Sequence, residues 1–259
     1  MADCHLEYSY RSHVSVSASR DVVVRDCYIH HGHGYDGGEA YGVWLGHWST
    51  DCLVENNAFD HLRHSMVTTL GACGNVFGYN FSTRSRHPGG ADDICQHGFF
   101  SSANLFEGNV AIQAVYADYW GPVGRRNTCF RNRFTGGVEV RDRTHDANII
   151  GNTFTDCGVS VEDGCEGAWV EKNLFVRRTE KPAPQGTDGL AASLEGEAAD
   201  VYPAPTWKMP ASLYLREKPP FWGSGPWPGI GAEADLESVR EKRPYTMIPA
   251  EARCRSLVK

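Results

Sequence analysis

One short pattern returns along the first two thirds of the chain: an apolar pair, one or two variable residues, a polar residue, then another apolar residue. The segments are VVVRDCYI (22–29), CLVENNAF (52–59), NVFGYNFS (75–82), NLFEGNVA (104–111), NTCFRNRF (127–134), NIIGNTF (148–154) and AWVEKNLFV (168–176). The recurring polar position is Asp26 in the first, then Asn56, Asn80, Asn109, Asn132, Asn152 and Asn173. A period of about 20 to 30 residues is solenoid spacing, not helix or hairpin spacing. Short runs of Val, Ile and Phe predict strands. Asn tolerates the left-handed backbone conformation and can turn a corner where most residues cannot. Stacked on successive levels, Asn side chains can also hydrogen-bond one another. The expectation is an all-β chain, a right-handed parallel β-helix of about seven coils, with these asparagines at one corner.

A second strand per coil follows each asparagine: YGVWLG (41–46), SMVTTL (65–70), DICQHG (93–98), VYADYW (115–120), VEVRD (138–142) and VSVED (159–163). Their alternation of apolar and polar residues predicts one face inward and one toward solvent. Stacked in register, the outward residues form a column with neighbours about 4.8 Å apart.

The pattern ends near residue 178. Residues 179–259 are rich in Pro, Ala, Gly and Glu and hold most of the prolines. Such a stretch has little periodic structure of its own. It also carries Trp207, Phe221, Trp222 and Trp227, which would not stay in water. The division expected is a β-helix over 1–178 and an extended arm over 179–259 packed along it, with Trp222 and Trp227 buried. One short helix is expected at 232–240.

Composition narrows the function. No apolar run approaches the roughly 18 residues that cross a bilayer. A net charge of −7 disfavours a nucleic-acid binder, which neutralises phosphates with basic groups. The first lysine is Lys172, so the coils use arginine as their permanent cation. Nine cysteines leave at least one thiol unpaired or bridged between chains. No CxxC occurs. Cys27, Cys52 and Cys129 recur at similar places in the repeat and read as buried thiols, while Cys157 and Cys165 are close enough in sequence to be bridged. The first residues show no signal peptide.

Three stretches carry a resemblance. DCLVENNAFDHLRHSMVTTLGACGNVFGYNFS, DDICQHGFFSSANLFEGN and ADYWGPVGRRNTCFRNRF, with a tail FWGSGPWPGIG followed by MIPAEAR, resemble bacterial right-handed β-helix proteins of the pectate-lyase-like superfamily. The resemblance covers residues 20–255. It is specific for fold and says little about activity. It implies further coils upstream, a polysaccharide as partner, and a secreted or cell-surface monomer.

The outward column concentrates chemistry over four consecutive coils. It offers Arg63 and His64, then Asp92, Asp93 and His97, then Asp118, Tyr119 and Trp120, then Glu139, Arg141 and Asp142. Trp44, His47 and Trp48 flank it on one side. A glycoside hydrolase needs two carboxylates about 5 to 9.5 Å apart; Asp93 and Asp118, with Glu139 in reserve, are the candidates. Mutual repulsion should raise the pKa of one of that pair. A lyase needs a base beside a uronate carboxylate and a cation to hold it; His64, His97 or an arginine could be the base, and Arg63, Arg141 or Arg143 the clamp. Tyr119 and Trp120 would stack on a sugar ring. The absence of lysine from the coils disfavours a lyase that depends on it, not one using His, Tyr or Arg. The HHGHG run (30–34) suggests a metal but lacks a matched acid or Cys motif, so it reads as a solvated loop, and no metal is assigned. Calcium between Asp36, Glu39 and Asp92 is weighed without a matching motif; no cofactor is expected. Three classes remain: a polysaccharide hydrolase or lyase, a non-catalytic glycan-binding or adhesion module, and another reaction such as epimerisation or ester hydrolysis. The last has no GxSxG to support it.

Overall fold

In the computed structural model the described residues are 1–86, 92–118, 120–177, 198–199 and 207–258. Strand is their main regular structure, and the strands run mostly in parallel sheets around a common core. Four of the repeats, those starting at Val23, Leu53, Val76 and Asn148, yield three strands rather than two. The first strand of each repeat has three residues: Val23–Arg25, Leu53–Glu55, Val76–Gly78, Leu105–Glu107, Thr128–Phe130, Asn148–Ile150 and Trp169–Glu171. These pair in chain order as a parallel seven-stranded sheet. The other strands form a fourteen-stranded sheet with two arms. One arm begins His5–Ser9, Tyr28–Gly32, Ala58–Asp60 and Phe81–Thr83; the other begins Ser12–Ser17, Tyr41–Gly46, His64–Thr68 and Ile94–Gln96. Val110–Tyr116 and Arg133–Val140 are long enough to pass through the bend and belong to both arms, with a register irregularity between Ala111 and Gln113. Among the described residues no helix is long and apolar enough to cross a membrane.

Both sheets send apolar side chains into one interior. Val24, Val54, Phe77, Phe106 and Ile149 come from the short sheet, and Ile29, Phe59, Met66, Ile94 and Phe134 from the long one. Phe77 and Phe106 stack on successive levels, 5.0 Å apart and nearly coplanar. Cys27, Cys52 and Cys129 are buried among them. All nine cysteines are free, so Cys157 and Cys165 are not bridged.

The corner differs from the expected one in two ways. The ladder runs through Asn57, Asn80, Asn109, Asn132, Asn152 and Asn173. Asn56 is displaced by one position and instead donates to Asp26 Oδ1 at 2.7 Å. The left-handed residue is the one before each ladder asparagine: Asn56, Tyr79, Gly108, Arg131, Gly151 and Lys172 all have positive φ, as does Asp26 before Cys27 at the same place in the first repeat. The neighbour turns the chain, and the asparagine satisfies the backbone that the turn exposes. Asn109 shows the pattern. Its Oδ1 accepts from Asn80 N and Nδ2, and its Nδ2 donates to Phe77 O and Asn132 Oδ1. A second ladder, Asn75–Asn104–Asn127, precedes the short strands. The sequence pattern contains it as the first residue of three segments, but the count followed only the later asparagine.

Residues 207–258 anchor on the strands that follow the first ladder. Trp222 is buried, and the half-buried Trp227 donates through Nε1 to Tyr79 Oη at 3.0 Å. Helix α1, Ala232–Arg240, falls on the expected 232–240; α2, Pro249–Leu257, lies in the MIPAEAR stretch and was not anticipated. Arg133 is buried, makes a bidentate pair with Asp235 at 2.6 and 2.9 Å, and also donates to Thr246 O and Gly229 O. An arginine fork with every arm bonded to the packed segment is the arrangement in which a buried charge is tolerated. The part of the expected arm at 179–197 and 200–206 lies outside the described residues.

Glu107 ties the same segment to the short sheet. It is fully buried, and its Oε2 accepts from Leu213 N at 2.8 Å. Burial pushes its carboxyl up to about 7 against the hydrogen bonds from Ser212 and Leu213. The folded chain therefore keeps a proton that the unfolded chain releases above about 4.5. Stability from this group is full below pH 4.5 and falls as pH rises toward 7, by up to about 3 kcal/mol. Glu107→Gln should flatten that part of the profile, read as the difference between wild-type and variant denaturation at pH 5 and pH 8.

Candidate active site

Tyr41 and His64 head adjacent strands and pair in register, with rings 5.0 Å apart. His97 directly follows Ile94–Gln96 and continues the ladder through its amide to Thr68 O. Beyond it the backbone turns at Gly98, where an added Cβ would lie 2.2 Å from Gly121 O. Only glycine permits that approach at positive φ. On the next level Ala117 takes a left-handed conformation, and Asp118 turns back onto His97.

The result is a line of polar groups. Asp118 Oδ2 lies 2.5 Å from His97 Nδ1. His97 Nε2 lies 2.9 Å from Tyr41 Oη. Arg63 Nη1 donates to the same phenol oxygen at 3.2 Å. A carboxylate against Nδ1 assigns the proton to that nitrogen, which leaves Nε2 to accept from the tyrosine hydroxyl. His64 stands edge-on to His97 at 5.2 Å, and its Nδ1 donates to Asp92 O. Tyr41, His64 and His97 are buried. Arg63 Nε and Asp118 Oδ1 are buried with no hydrogen-bond partner among the described residues.

Burial sets most of the proton affinities. It pushes the Tyr41 phenol up, with Arg63 opposing, so the hydroxyl stays protonated at neutral pH. Burial and the neighbouring His97 and Arg63 charges hold His64 down to about 3, a neutral ring. Burial also raises Asp118, but the His97 hydrogen bond and charge outweigh it, and the carboxyl titrates below its ordinary value. The Cys95 thiol lies 3.7 Å from Asp118 Oδ2 and is driven well above its usual pKa by burial and that carboxylate. A thiol so held is not a nucleophile.

An opening leads to this line. A groove of about 480 Å³ is lined by Arg11, Ser12, Ser15, Ser17, Gly38, Tyr41, Trp44 and His47. Tyr41 belongs to both the groove and the proton line. Exposed aromatics stand at nearby strand ends: Trp48 on one level, Phe99 and Phe100 two levels on, and Trp120 beyond them. Phe99 and Trp120 stack at 5.9 Å. Trp48 lies across Gly71, where a Cβ would sit 2.6 Å from its ring.

Several expected site residues stand elsewhere. Asp93 does not meet Asp118. It is fully buried, accepts from Ser85 Oγ and from Ile112 N, and holds the bend. Four residues of strand, roughly 13 Å, separate it from His97. Its carboxyl is raised to about 6, but by burial rather than by repulsion from Asp118. Glu139 accepts at 2.9 Å from Nε2 of Gln113 on the adjacent strand and pairs with Arg141, just past the end of its own strand. Arg143 is exposed in a turn. Tyr119 lies outside the described residues. Of the expected set, His97, Asp118, His64 and Arg63 come together, with Trp120 at the rim. Tyr41, Arg11 and Cys95 were missed; an alignment of strand starts, rather than of asparagines, places Tyr41 opposite His64.

Two groups of side chains could hold a metal among the described residues: His64, Cys95 and His97, and His5, Glu7 and His30. The first fits poorly, since both His97 nitrogens already have partners. Asp36, Glu39 and Asp92 do not form such a group. No protein-family model, curated protein or solved structure matches the chain.

Proposed function

We propose that the chain is a right-handed parallel β-helix of the pectate-lyase-like superfamily that cleaves a uronate-containing polysaccharide by β-elimination. The observation that carries this reading is the line Asp118–His97–Tyr41–Arg63 ending in a groove. Parallel strands joined by crossovers are right-handed almost without exception, which supports the handedness. The lyase is favoured over the hydrolase because Asp93 is engaged at the bend, while a base, its orienting carboxylate and a cation converge on Tyr41.

The roles follow from the contacts. The Tyr41 proton moves to His97 Nε2, Asp118 stabilises the resulting imidazolium, and Arg63 steadies the phenolate. The phenolate takes the proton from the carbon beside the uronate carboxylate. That C–H pair becomes a carbon–carbon double bond, and the bridging C–O bond breaks. The departing oxygen takes the proton from Tyr41, which recovers its own from His97. Arg11, in the groove with Tyr41, is placed to hold the carboxylate. Trp120 and Phe99 offer a stacking surface for neighbouring sugars. Acting on a polymer, such an enzyme would work outside the cell.

A panel of uronate polymers tests the reading, followed by reducing ends and by the ultraviolet absorbance of unsaturated ends. The expected result is both signals in equal number, lost in Tyr41→Phe. Trp120→Ala should weaken substrate binding about 3- to 10-fold. Reducing ends without absorbance would mean a hydrolase; binding without either signal would favour the glycan-binding module.

A further inference from the structure

The second group of ligand-type side chains lies on the first two strands of the other arm. His5 and Glu7 are two residues apart on one strand, so their side chains leave the same face. Parallel pairing sets Glu7 directly opposite His30. His5 Nε2 faces His30 Nε2, and Glu7 Oε2 is 3.5 Å from the same His30 nitrogen. All three ligand atoms lie within 4.8 Å of one another. Two imidazole nitrogens aimed at each other can share only one proton, and the carboxylate adds a further acceptor; a cation between them satisfies all three.

We propose that His5, Glu7 and His30 form a zinc site of the two-histidine, one-carboxylate type. Two nitrogens and one carboxylate oxygen suit zinc and similar borderline ions rather than calcium or magnesium, which take oxygen shells. His5 and Glu7 are exposed, so a fourth position is open to water.

The surroundings hold the buried ligand in place, as outer-sphere partners do in metal sites. His30 Nδ1 is 2.7 Å from His31 Nδ1. The His31 ring stacks on His61 at 4.4 Å and 19°. His61 Nδ1 bonds Asp60 Oδ1 at 2.9 Å, and Asp60 is itself bound by Tyr28 Oη and Arg84. Two histidines of the HHGHG run thus enter a metal centre, one as ligand and one as its support. The acid missing from that run in sequence is supplied by Glu7 on the neighbouring strand. The ion would clamp His5–Ser9 to Tyr28–Gly32.

The test uses the untagged full chain, freed of metal by a chelator and titrated calorimetrically with zinc. One zinc per chain is expected, with affinity reduced at least about ten-fold in His5→Ala and in Glu7→Gln. Zinc should raise the melting temperature of the wild type and not of His5→Ala. Both substitutions are at exposed positions, and melting without metal checks that the variants fold. Cobalt should give visible bands without the charge-transfer band of a thiolate. Zinc binding that is absent, or unchanged in both His5→Ala and Glu7→Gln, overturns the proposal. A thiolate band does the same by assigning the metal to a cysteine, which the proposed site lacks.

Discussion

Asp118→Asn is expected to lower turnover of the cleaved polymer by about 10²- to 10⁴-fold, the range a positioned proton-transfer group contributes. The loss should fall on kcat, with KM little changed, because Asp118 orients His97 and need not touch the substrate. An amide in its place either donates toward Nδ1 or leaves the imidazolium without a counter-charge, so Nε2 no longer accepts the Tyr41 proton. The fold should persist, since Asp118 is partly exposed and lies outside the core. A lowered pKa means that the stability Asp118 contributes is present above its ordinary value of 3.8 and is lost only as pH falls through the lower folded value. Wild type and variant should therefore differ modestly at pH 7, and the difference should shrink as pH falls below 3.8. Steady-state kinetics beside thermal melts would check both halves. Unchanged kcat would remove Asp118 from the mechanism.

The second large effect is on stability. Asn109→Leu should cost about 3–5 kcal/mol in chemical denaturation. It leaves Asn80 N and Phe77 O without their side-chain partners in a dry interior, and each buried polar group so stranded costs about 1–3 kcal/mol. Asn57→Ala should fall in the same class, whereas Asn56→Ala should cost less, about 1–2 kcal/mol, because it loses one side-chain bond to Asp26 and sets an alanine in the left-handed conformation. Equal losses at 56 and 57 would contradict the ladder register.

That pair of adjacent residues shows what the sequence could reveal and where it stopped. Strands and repeats were legible because β-branched and aromatic runs return at solenoid spacing. Which of two neighbouring asparagines stacks was not, since both types occur at turns and only the backbone conformation separates them. The site was half legible. His97, Asp118, His64 and Arg63 fall near strand ends that align once the repeat is seen. Asp93 misled because an acid beside a turn looks the same whether it faces a groove or bonds the bend from within. Tyr41 escaped because aromatic residues at strand starts are usually packing. The His5–Glu7–His30 group escaped because its acid is a strand away, a relation that appears only with the register.

The two columns of left-handed residues mark off a fixed interval. Asp21 and Asp26, Asp51 and Asn56, Gly74 and Tyr79, Ala103 and Gly108, Arg126 and Arg131, and Asp146 and Gly151 are each five positions apart, as are Gly167 and Lys172. The return path from one column to the next varies from 25 residues after Asp26 to 15 after Arg131. All the length variation is thus confined to the part of each circuit that carries Tyr41, His97 and Asp118. The three-residue strands act as a keel of constant pitch, and the reactive face is free to grow or shorten beside it. Loops exchanged on that face should retune what the groove accepts while the stacking stays in step; one residue added within the keel should throw every level beyond it out of register.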